Sequence, residues 1–424
     1  MLASFVLVTL CAEPSSLPLA QLPEDAQLFE LIWQSAPELQ SVRSRVAAAR
    51  ADSERAQLLP NPSLDLSANT LPVGPTTPED LPSPLANVPN YAVSISTLIE
   101  LGKRGPRQQA AQHATDAAIL DGRALLLQRY YDLRSHIGGI AAIEQRLFQL
   151  SELSKDAARL TALQQARSDK GDVSTLDADR ARLEEQKLEA SLGIERARLT
   201  AELRACSEVS GLDCQPFANA GRASTFLARV PVSPPEAACE SRPDVLSLQA
   251  QSAGARALET LAHRRAIPDP TLRVGYVRDQ FVVAGNQANS LFVGLSIPLP
   301  LFDHGQADAR AASITAESAD RARLQVLAIA HDSLRKVDAE AAEVERRRDQ
   351  LATQTLPLAR TIVERLEATV ARGGAGLQDL LLARRTLGEL VLDKSDLDLA
   401  IFELAVLRSR VCGQSPPLPP DLTL

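Results

Sequence analysis

Two copies of a proline-flanked stretch constrain this chain more than any other feature. The first reads Leu58-Leu59-Pro60-Asn61-Pro62-Ser63-Leu64-Asp65-Leu66, and the second Ala266-Ile267-Pro268-Asp269-Pro270-Thr271-Leu272-Arg273-Val274. In each, a helix-like run stops at a Pro-x-Pro corner and an alternating apolar/polar run begins. Proline removes a helix donor and pushes the preceding residue out of the α region. Each corner therefore marks a helix-to-strand switch. Pro60 and Pro268 lie 208 residues apart, which predicts an internally duplicated chain.

After the first corner, Leu64, Leu66 and Ala68 alternate with Asp65, Ser67 and Asn69. A proline-rich loop, Pro72 to Pro89, leads to a second alternating run from Asn90 to Leu101, with Tyr91, Val93, Ile95, Ile99 and Leu101 in one parity. After the second corner, Leu272, Val274 and Tyr276 alternate with Arg273 and Gly275. A fourth run, Ser290 to Leu301, carries Leu291, Val293, Leu295, Ile297, Leu299 and Leu301 in one parity. These predict β-hairpins at 63–101 and 271–301.

The rest is helical in character. Aromatics make up only 3% of the 424 residues, and Ala, Leu, Arg, Glu and Gln fill long stretches, which signals long helices. From Pro106 to about Lys170 no proline occurs, enough for a continuous helix of roughly 95 Å at 1.5 Å per residue. Gly171-Asp172 breaks it, and a return helix of about 33 residues follows, with Leu176, Leu183, Leu192, Leu199 and Leu203 as its seam. In the second half a helix of about 66 residues runs to Arg372, carrying Pro357, turns at Gly373-Gly374 and returns to about Cys412. Before each corner a helix opens at Pro37 and at Pro243.

The chain thus divides into a loose leader, 1–24; a first repeat, 25–206, with its tip near 171; an irregular segment, 207–242, with a short strand expected near Phe226–Val232; a second repeat, 243–412, with its tip near 373; and a proline-rich tail, 413–424. The fold class is α+β, mostly long α-helices. Met1 to Ala12 reads as a shortened export signal, and Val8-Thr9-Leu10-Cys11 is an imperfect lipobox that leaves lipidation of Cys11 open. Cys206, Cys214, Cys239 and Cys412 fit no zinc spacing; they read either as pairs in an exported chain or as buried free thiols.

About four strands of some ten residues, each alternating and none continuously apolar, carry the signature of an outer-membrane barrel. Four cannot close a barrel, and lipid does not tolerate an open edge. Two copies would supply about eight strands and a filled interior, three about twelve and a pore. The rival reading is a soluble coiled-coil scaffold or adaptor capped by a small sheet.

These features resemble the TolC family of outer-membrane efflux proteins over residues from about 26 to 412. The resemblance rests on the Leu59-Pro60-Asn61-Pro62 corner, the Gly102-Lys103-Arg104-Gly105 strand exit and the Ser296-Ile297-Pro298-Leu299-Pro300-Leu301-Phe302 segment. It rests also on the tips Gly171-Asp172-Val173-Ser174-Thr175-Leu176-Asp177 and Gly373-Gly374-Ala375-Gly376-Leu377-Gln378-Asp379. The Gly-Lys-Arg-Gly exit and the Ile-Pro-Leu-Pro-Leu-Phe strand end look most like the heavy-metal, Czc/Cus-type branch. The resemblance implies a homotrimer whose four strands per copy form a twelve-stranded barrel in outer-membrane lipid, above a periplasmic α-barrel. It further implies an exit duct fed by a periplasmic adaptor (a membrane fusion protein) and an inner-membrane RND or ABC transporter, for small molecules, metal ions or, in type I secretion, polypeptide.

Nothing in the sequence looks catalytic, and no cofactor or resident metal is expected. His113, His136, His263, His304 and His331 are scattered and read as solvated helix faces, and no phosphate loop follows a strand. A net charge of −8 argues against a nucleic-acid partner. The functional candidates are the helix tips. Lys170, Gly171, Asp172 and Val173, with Arg372, Gly373, Gly374 and Ala375, are expected to dock the adaptor. Asp177 and Asp379, each six residues past its tip glycine, are candidates for a periplasmic carboxylate constriction or, alternatively, N-terminal charges that favour the helix dipole. Glu100, Lys103 and Arg104 are expected at the periplasmic mouth of the barrel as ordinary interface anchors.

Overall fold

The computed structural model describes residues 16–22, 24–74, 82–229, 236–280, 287–372, 374 and 376–412. The export-signal and lipidation readings of Met1–Ala12 and Cys11, and the 413–424 tail, lie outside the described residues. In chain order the elements are β1 (Ser16–Pro18), α1 (Asp25–Ser35), α2 (Pro37–Gln57), β2 (Ser63–Asn69), α3 (Pro84–Asn87), β3 (Asn90–Leu98), α4 (Arg104–Asp169) and α5 (Thr175–Ser210). They continue with β4 (Asp213–Gln215), α6 (Ala220–Ala228), α7 (Pro243–His263), β5 (Thr271–Asp279), β6 (Asn289–Ser296), α8 (Gln306–Gln350), α9 (Leu356–Ala371) and α10 (Leu377–Cys412). The residues gather into two compact units, each drawing on both repeats: one of 1–44, 119–246 and 324–424, the other of 45–118 and 247–323.

In the first unit, Phe29, Ile32 and Leu39 of α1 and α2 and Leu126, Leu133, Ile137 and Ile140 of α4 are among the fully buried side chains. The Phe29 and Tyr130 rings lie 4.8 Å apart, an aromatic contact that adds to the area buried. A second aromatic run joins Phe217, Phe226 and Phe402, with centroids 5.7 and 5.2 Å apart. Gly138 is required beneath Phe402, because a Cβ there would stand 2.5 Å from the ring. The cysteines pair as Cys206–Cys214 and Cys239–Cys412, which decides between the two readings left open above. Cys239 and Cys412 sit with Ala330, Leu334 and Val411 in a buried cluster.

Four expectations need correcting. The 66-residue helix of the second half is interrupted by a π-helical turn at Leu351–Thr355, directly before Pro357. Proline lacks the N–H, and its ring crowds the carbonyl four residues earlier, here Thr353; widening the turn relieves both. The short strand expected near Phe226–Val232 is absent where it is described: Phe226 to Ala228 end α6, which Asn219 caps by accepting the Arg222 N–H at 3.0 Å. Residues 230–232 lie outside the described residues. The two hairpin return strands stop at Leu98 and Ser296, not at 101 and 301. His136 is not on a solvated face: its Nδ1 lies 2.6 Å from Glu202, which raises its pKa.

The 207–242 segment is tied to α4 through one carboxylate. Glu144 accepts the Phe217 N–H at 2.7 Å. Burial raises its pKa from the ordinary 4.5 to about 7, against the opposing pull of that N–H. A raised acid stabilises the fold fully below its unfolded pKa and loses that contribution as pH climbs through the folded value. The melting temperature is expected to fall between pH 4.5 and about 7. Glu144→Gln, which keeps an amide oxygen for Phe217 and cannot ionise, is expected to flatten that slope in a thermal-melt series; an unchanged slope would assign it to other groups.

Candidate functional site

The second unit contains one four-stranded antiparallel sheet in the order β2-β3-β5-β6. Its register places Leu66 opposite Val93, Val93 opposite Tyr276 and Val274 opposite Val293. Because side chains alternate, the parity read from the sequence becomes two continuous faces. One carries Leu64, Leu66, Tyr91, Val93, Ile95, Leu272, Val274, Tyr276, Leu291, Val293 and Leu295, all exposed, with Leu291 at 81%. An apolar face this wide has no aqueous occupant that would favour it. The opposite face is polar and internally bonded. Asp65 accepts from Ser96 Oγ at 3.1 Å and from Arg273 at 3.0 Å, and Ser63 and Ser96 share a hydrogen bond of 2.8 Å. Gly275 has no room for a side chain, since a Cβ would stand 2.6 Å from both Phe292 and Ser94. Among the described residues, β2 and β6 are the open edges.

The corners are held by residues that the pattern did not reveal. At Pro60 and Pro62, the last carbonyls of α2 lack helical partners. Arg107 donates to the carbonyls of Ala56 and Leu58 at 3.2 Å each, and Arg104 to that of Gln57 at 3.0 Å. Glu100 holds Arg107 in place by a bidentate pair, one arm at 3.0 Å. At Pro268 and Pro270, Asp269 accepts the Leu101 N–H at 2.9 Å and the Lys103 ammonium at 2.6 Å. Burial disfavours its charge, but those donors prevail and its pKa lies below the ordinary value. Glu100, Lys103 and Arg104 are therefore specific structural partners rather than generic anchors. Arg107 and Asp269 were missed; an acid locked between two prolines was the available signal.

Both tips lie in the first unit. At the first, Gly171 adopts φ +78°, the Gly171 N–H donates to Ser168 and the Asp172 N–H to Arg167, each at 2.9 Å. This is the Schellman arrangement, and it requires glycine at that position. Lys170 and Val173 complete the turn, and Ser174 caps α5 by accepting the Asp177 N–H at 3.2 Å. Asp177 stands in the first turn, 3.3 Å from Arg180. At the second tip the Gly374 N–H donates to Thr369 at 2.9 Å, the same span as Asp172 to Arg167. Arg372 is exposed; Gly373 and Ala375 lie outside the described residues. Asp379 is exposed in the first turn of α10 and has no ion-pair partner among the described residues. Exposed leucines flank the tips, including Leu163, Leu176, Leu183 and Leu382. Between α4, α5, α9 and α10 lies a cleft of about 370 Å³, lined by leucines such as Leu150 and Leu392 and by charged residues such as Glu184, Lys187, Glu367 and Arg384.

Among the described residues no cluster of three metal-ligating side chains occurs, and no helix is long and apolar enough to cross a membrane. No family model matches the chain. The cobalt-zinc-cadmium resistance protein CzcC of Cupriavidus metallidurans is 28% identical over 240 residues, 54% of this chain. The chain spans about half, 54%, of that relative's length. Solved structures are similar over 92% of the chain. CusC, described for transmembrane channel formation, matches at TM-score 0.75 with 15% identity over 92% of its length. The outer membrane protein VceC of Vibrio cholerae matches at 0.73 with 16% identity over 96% of its length. The open outer membrane channel MtrE of Neisseria gonorrhoeae matches at 0.70 with 14% identity over 89%. These likenesses agree with the resemblance carried by the corners, strand exits and tips: the chain has the fold of the TolC-type outer-membrane efflux channels.

Proposed function

We propose that the chain is the outer-membrane exit duct of a tripartite efflux system, a passive channel and not an enzyme. The observation that carries this reading is the sheet. It has one polar, cross-bonded face, one fully exposed apolar face and two open edges. A lipid-facing barrel wall requires the first two, and assembly with further copies answers the third. Three copies give a twelve-stranded wall wide enough for a water-filled lumen. A soluble scaffold would leave the apolar face in water.

The partners follow from the same reading. The copies form a homotrimer with the sheets in outer-membrane lipid and the helical hairpins in the periplasm. The tips Lys170–Val173 and Arg372–Ala375 dock a periplasmic adaptor, and an inner-membrane transporter supplies the energy. The cargo is a small cation: the curated relative is named for cobalt, zinc and cadmium resistance, and a threefold ring of exposed Asp379 carboxylates near the tips would favour cations. Asp177, paired to Arg180, is the weaker contributor to that ring.

Export the full chain in a Gram-negative host, isolate outer membranes and reconstitute the protein in planar bilayers. A heat-labile trimer that conducts is expected, and Asp379→Ala is expected to raise its leak, because the constriction is removed, while lowering its preference for cations over anions. A monomer in the soluble periplasm overturns the duct. Unchanged conductance in Asp379→Ala overturns the constriction.

A further inference from the structure

The apolar face of the sheet carries one charge. Along the apolar parity of β2, β3, β5 and β6, Arg278 is the single charged residue among the described residues. It is exposed, and its guanidinium has no ion-pair or hydrogen-bond partner among the described residues. The duplication does not repeat it: the interval of 208 that carries Pro60 onto Pro268 carries Thr70 onto Arg278. A lone arginine is costly at the bilayer midplane and nearly free at the interface. Its height along the strand therefore matters. Pro270 stands at the helical end of the sheet, and Arg278 lies eight residues further on, beside the far hairpin loop. That is a rise of roughly 20 Å for a strand tilted near 40°. With the helices in the periplasm, Arg278 stands at the outer rim of the apolar band, level with the head groups of the outer leaflet.

The register surrounds Arg278 with neutral donors. Tyr91 stands directly opposite it on β3, and Asn289 directly opposite it on β6. The Tyr276 hydroxyl donates to Asn289 Oδ1 at 2.5 Å, which orients the carboxamide and leaves its Nδ2 to donate. Phenol, guanidinium and carboxamide thus form a row about 10 Å wide across three strands. One pair of residues nearer the periplasm, the row reads Val93, Tyr276 and Leu291, all exposed. Leu66, Tyr91, Val93, Tyr276 and Arg278 help to line a shallow concavity of about 670 Å³ there. Polar donors form its upper edge and apolar side chains its floor.

Resting on the duct reading, we propose that this shelf binds the phosphorylated glycolipid of the outer leaflet, one molecule per copy. The phosphate sits on Arg278, the sugar hydroxyls on Tyr91 and Asn289, and the acyl chains on Val93, Tyr276 and Leu291. Charge selects this occupant. A guanidinium takes a phosphate through two parallel N–H bonds. Among the described residues no carboxylate stands on this face to receive an ammonium, so a zwitterionic phospholipid leaves its amine unmatched. A phospholipid without sugars satisfies Arg278 but leaves the flanking phenol and carboxamide to water.

Trimers of the full chain, stripped of lipid in detergent, provide the test. They are titrated with the phosphorylated glycolipid, with the same glycolipid after phosphatase treatment, and with phosphatidylglycerol. Native mass spectrometry counts the bound molecules, and unheated gels report the dissociation temperature. The phosphorylated glycolipid is expected to fill three sites per trimer and to raise that temperature. The other two probes are expected to bind roughly tenfold more weakly. Arg278→Gln is expected to lower affinity for the phosphorylated form to the level of the dephosphorylated one. Arg278→Lys, which keeps the charge without the fork, is expected to fall between. Equal binding by the parent and Arg278→Gln, or equal binding with and without phosphate, in a trimer that inserts and conducts, overturns the site and leaves the duct standing. Phosphatidylglycerol bound as tightly as the glycolipid overturns the choice of lipid. Absence of any trimer from outer membranes overturns both the site and the duct.

Discussion

Replacing Cys239 and Cys412 together by serine is expected to destabilise the chain by about 5 kcal/mol, and the Cys206/Cys214 double replacement by about half as much. The two bridges differ chiefly in what they close. Cys239–Cys412 spans 173 residues, and Cys206–Cys214 spans 8. A cross-link removes unfolded-state entropy that grows with the logarithm of the loop, giving roughly 5 kcal/mol for the long loop and roughly 2.5 for the short one. The long bridge also anchors the end of α10. Arg242 donates to the Val411 carbonyl at 2.7 Å beside it, so the last turn of α10 is held by a covalent bond and a charged donor together. For a chain of this size a loss of 5 kcal/mol is a fall of roughly 5–6 °C in melting temperature. Thermal melts of both double variants, with the parent in reductant as a third sample, provide the comparison. Equal shifts for the two pairs would mean that strain or local packing, rather than loop length, sets the stabilisation.

Much of this architecture was legible because it rests on local chemistry. Proline decides the corners at Pro60/Pro62 and Pro268/Pro270 without help from the rest of the fold. Alternation by two decides which face of β2, β3, β5 and β6 is apolar. Gly171 followed by Ser174 and Asp177 states a helix stop and a helix start within seven residues. What escaped depends on partners far along the chain. Alternation continues through Ile297, Leu299 and Leu301 although the ladder ends at Ser296, because parity records side chains while prolines remove the donors. Phe226 and Leu227 are as apolar as a strand, yet the Asn219 cap commits them to a helix. Asp269 and Arg107 look like ordinary surface charges until Lys103, Leu101 and Glu100 are brought beside them. Pro357 was visible as a proline inside a helical run, but the pattern did not show that the helix would accommodate it through a π-turn at Leu351–Thr355.

Val274→Arg is expected to abolish the heat-labile trimer in outer membranes, while Ser67→Arg is expected to leave it near the parent level. Both residues are on the same sheet, and both tolerate a longer side chain sterically. Val274 lies at the middle of the central strand β5, flanked by Ile95 and Val293, and is 49% exposed on the apolar face. Ser67 is exposed on the polar face of β2. If water bathed both faces, the two substitutions would be alike, each within about 0.5 kcal/mol. If lipid covers the apolar face, an arginine near the bilayer midplane costs about 2–4 kcal/mol, and a trimer carries it three times over. The polar face lines water in that arrangement, where an arginine is solvated and joins Arg273 on an already charged surface. Outer-membrane trimer, quantified on unheated gels against total exported chain, is expected to fall at least tenfold for Val274→Arg and less than twofold for Ser67→Arg. A parallel loss in both would mean that the sheet is merely sensitive to bulk. Full tolerance of both would place its apolar face in water and end the channel reading, because no barrel wall can hold an uncompensated arginine in hydrocarbon at every copy.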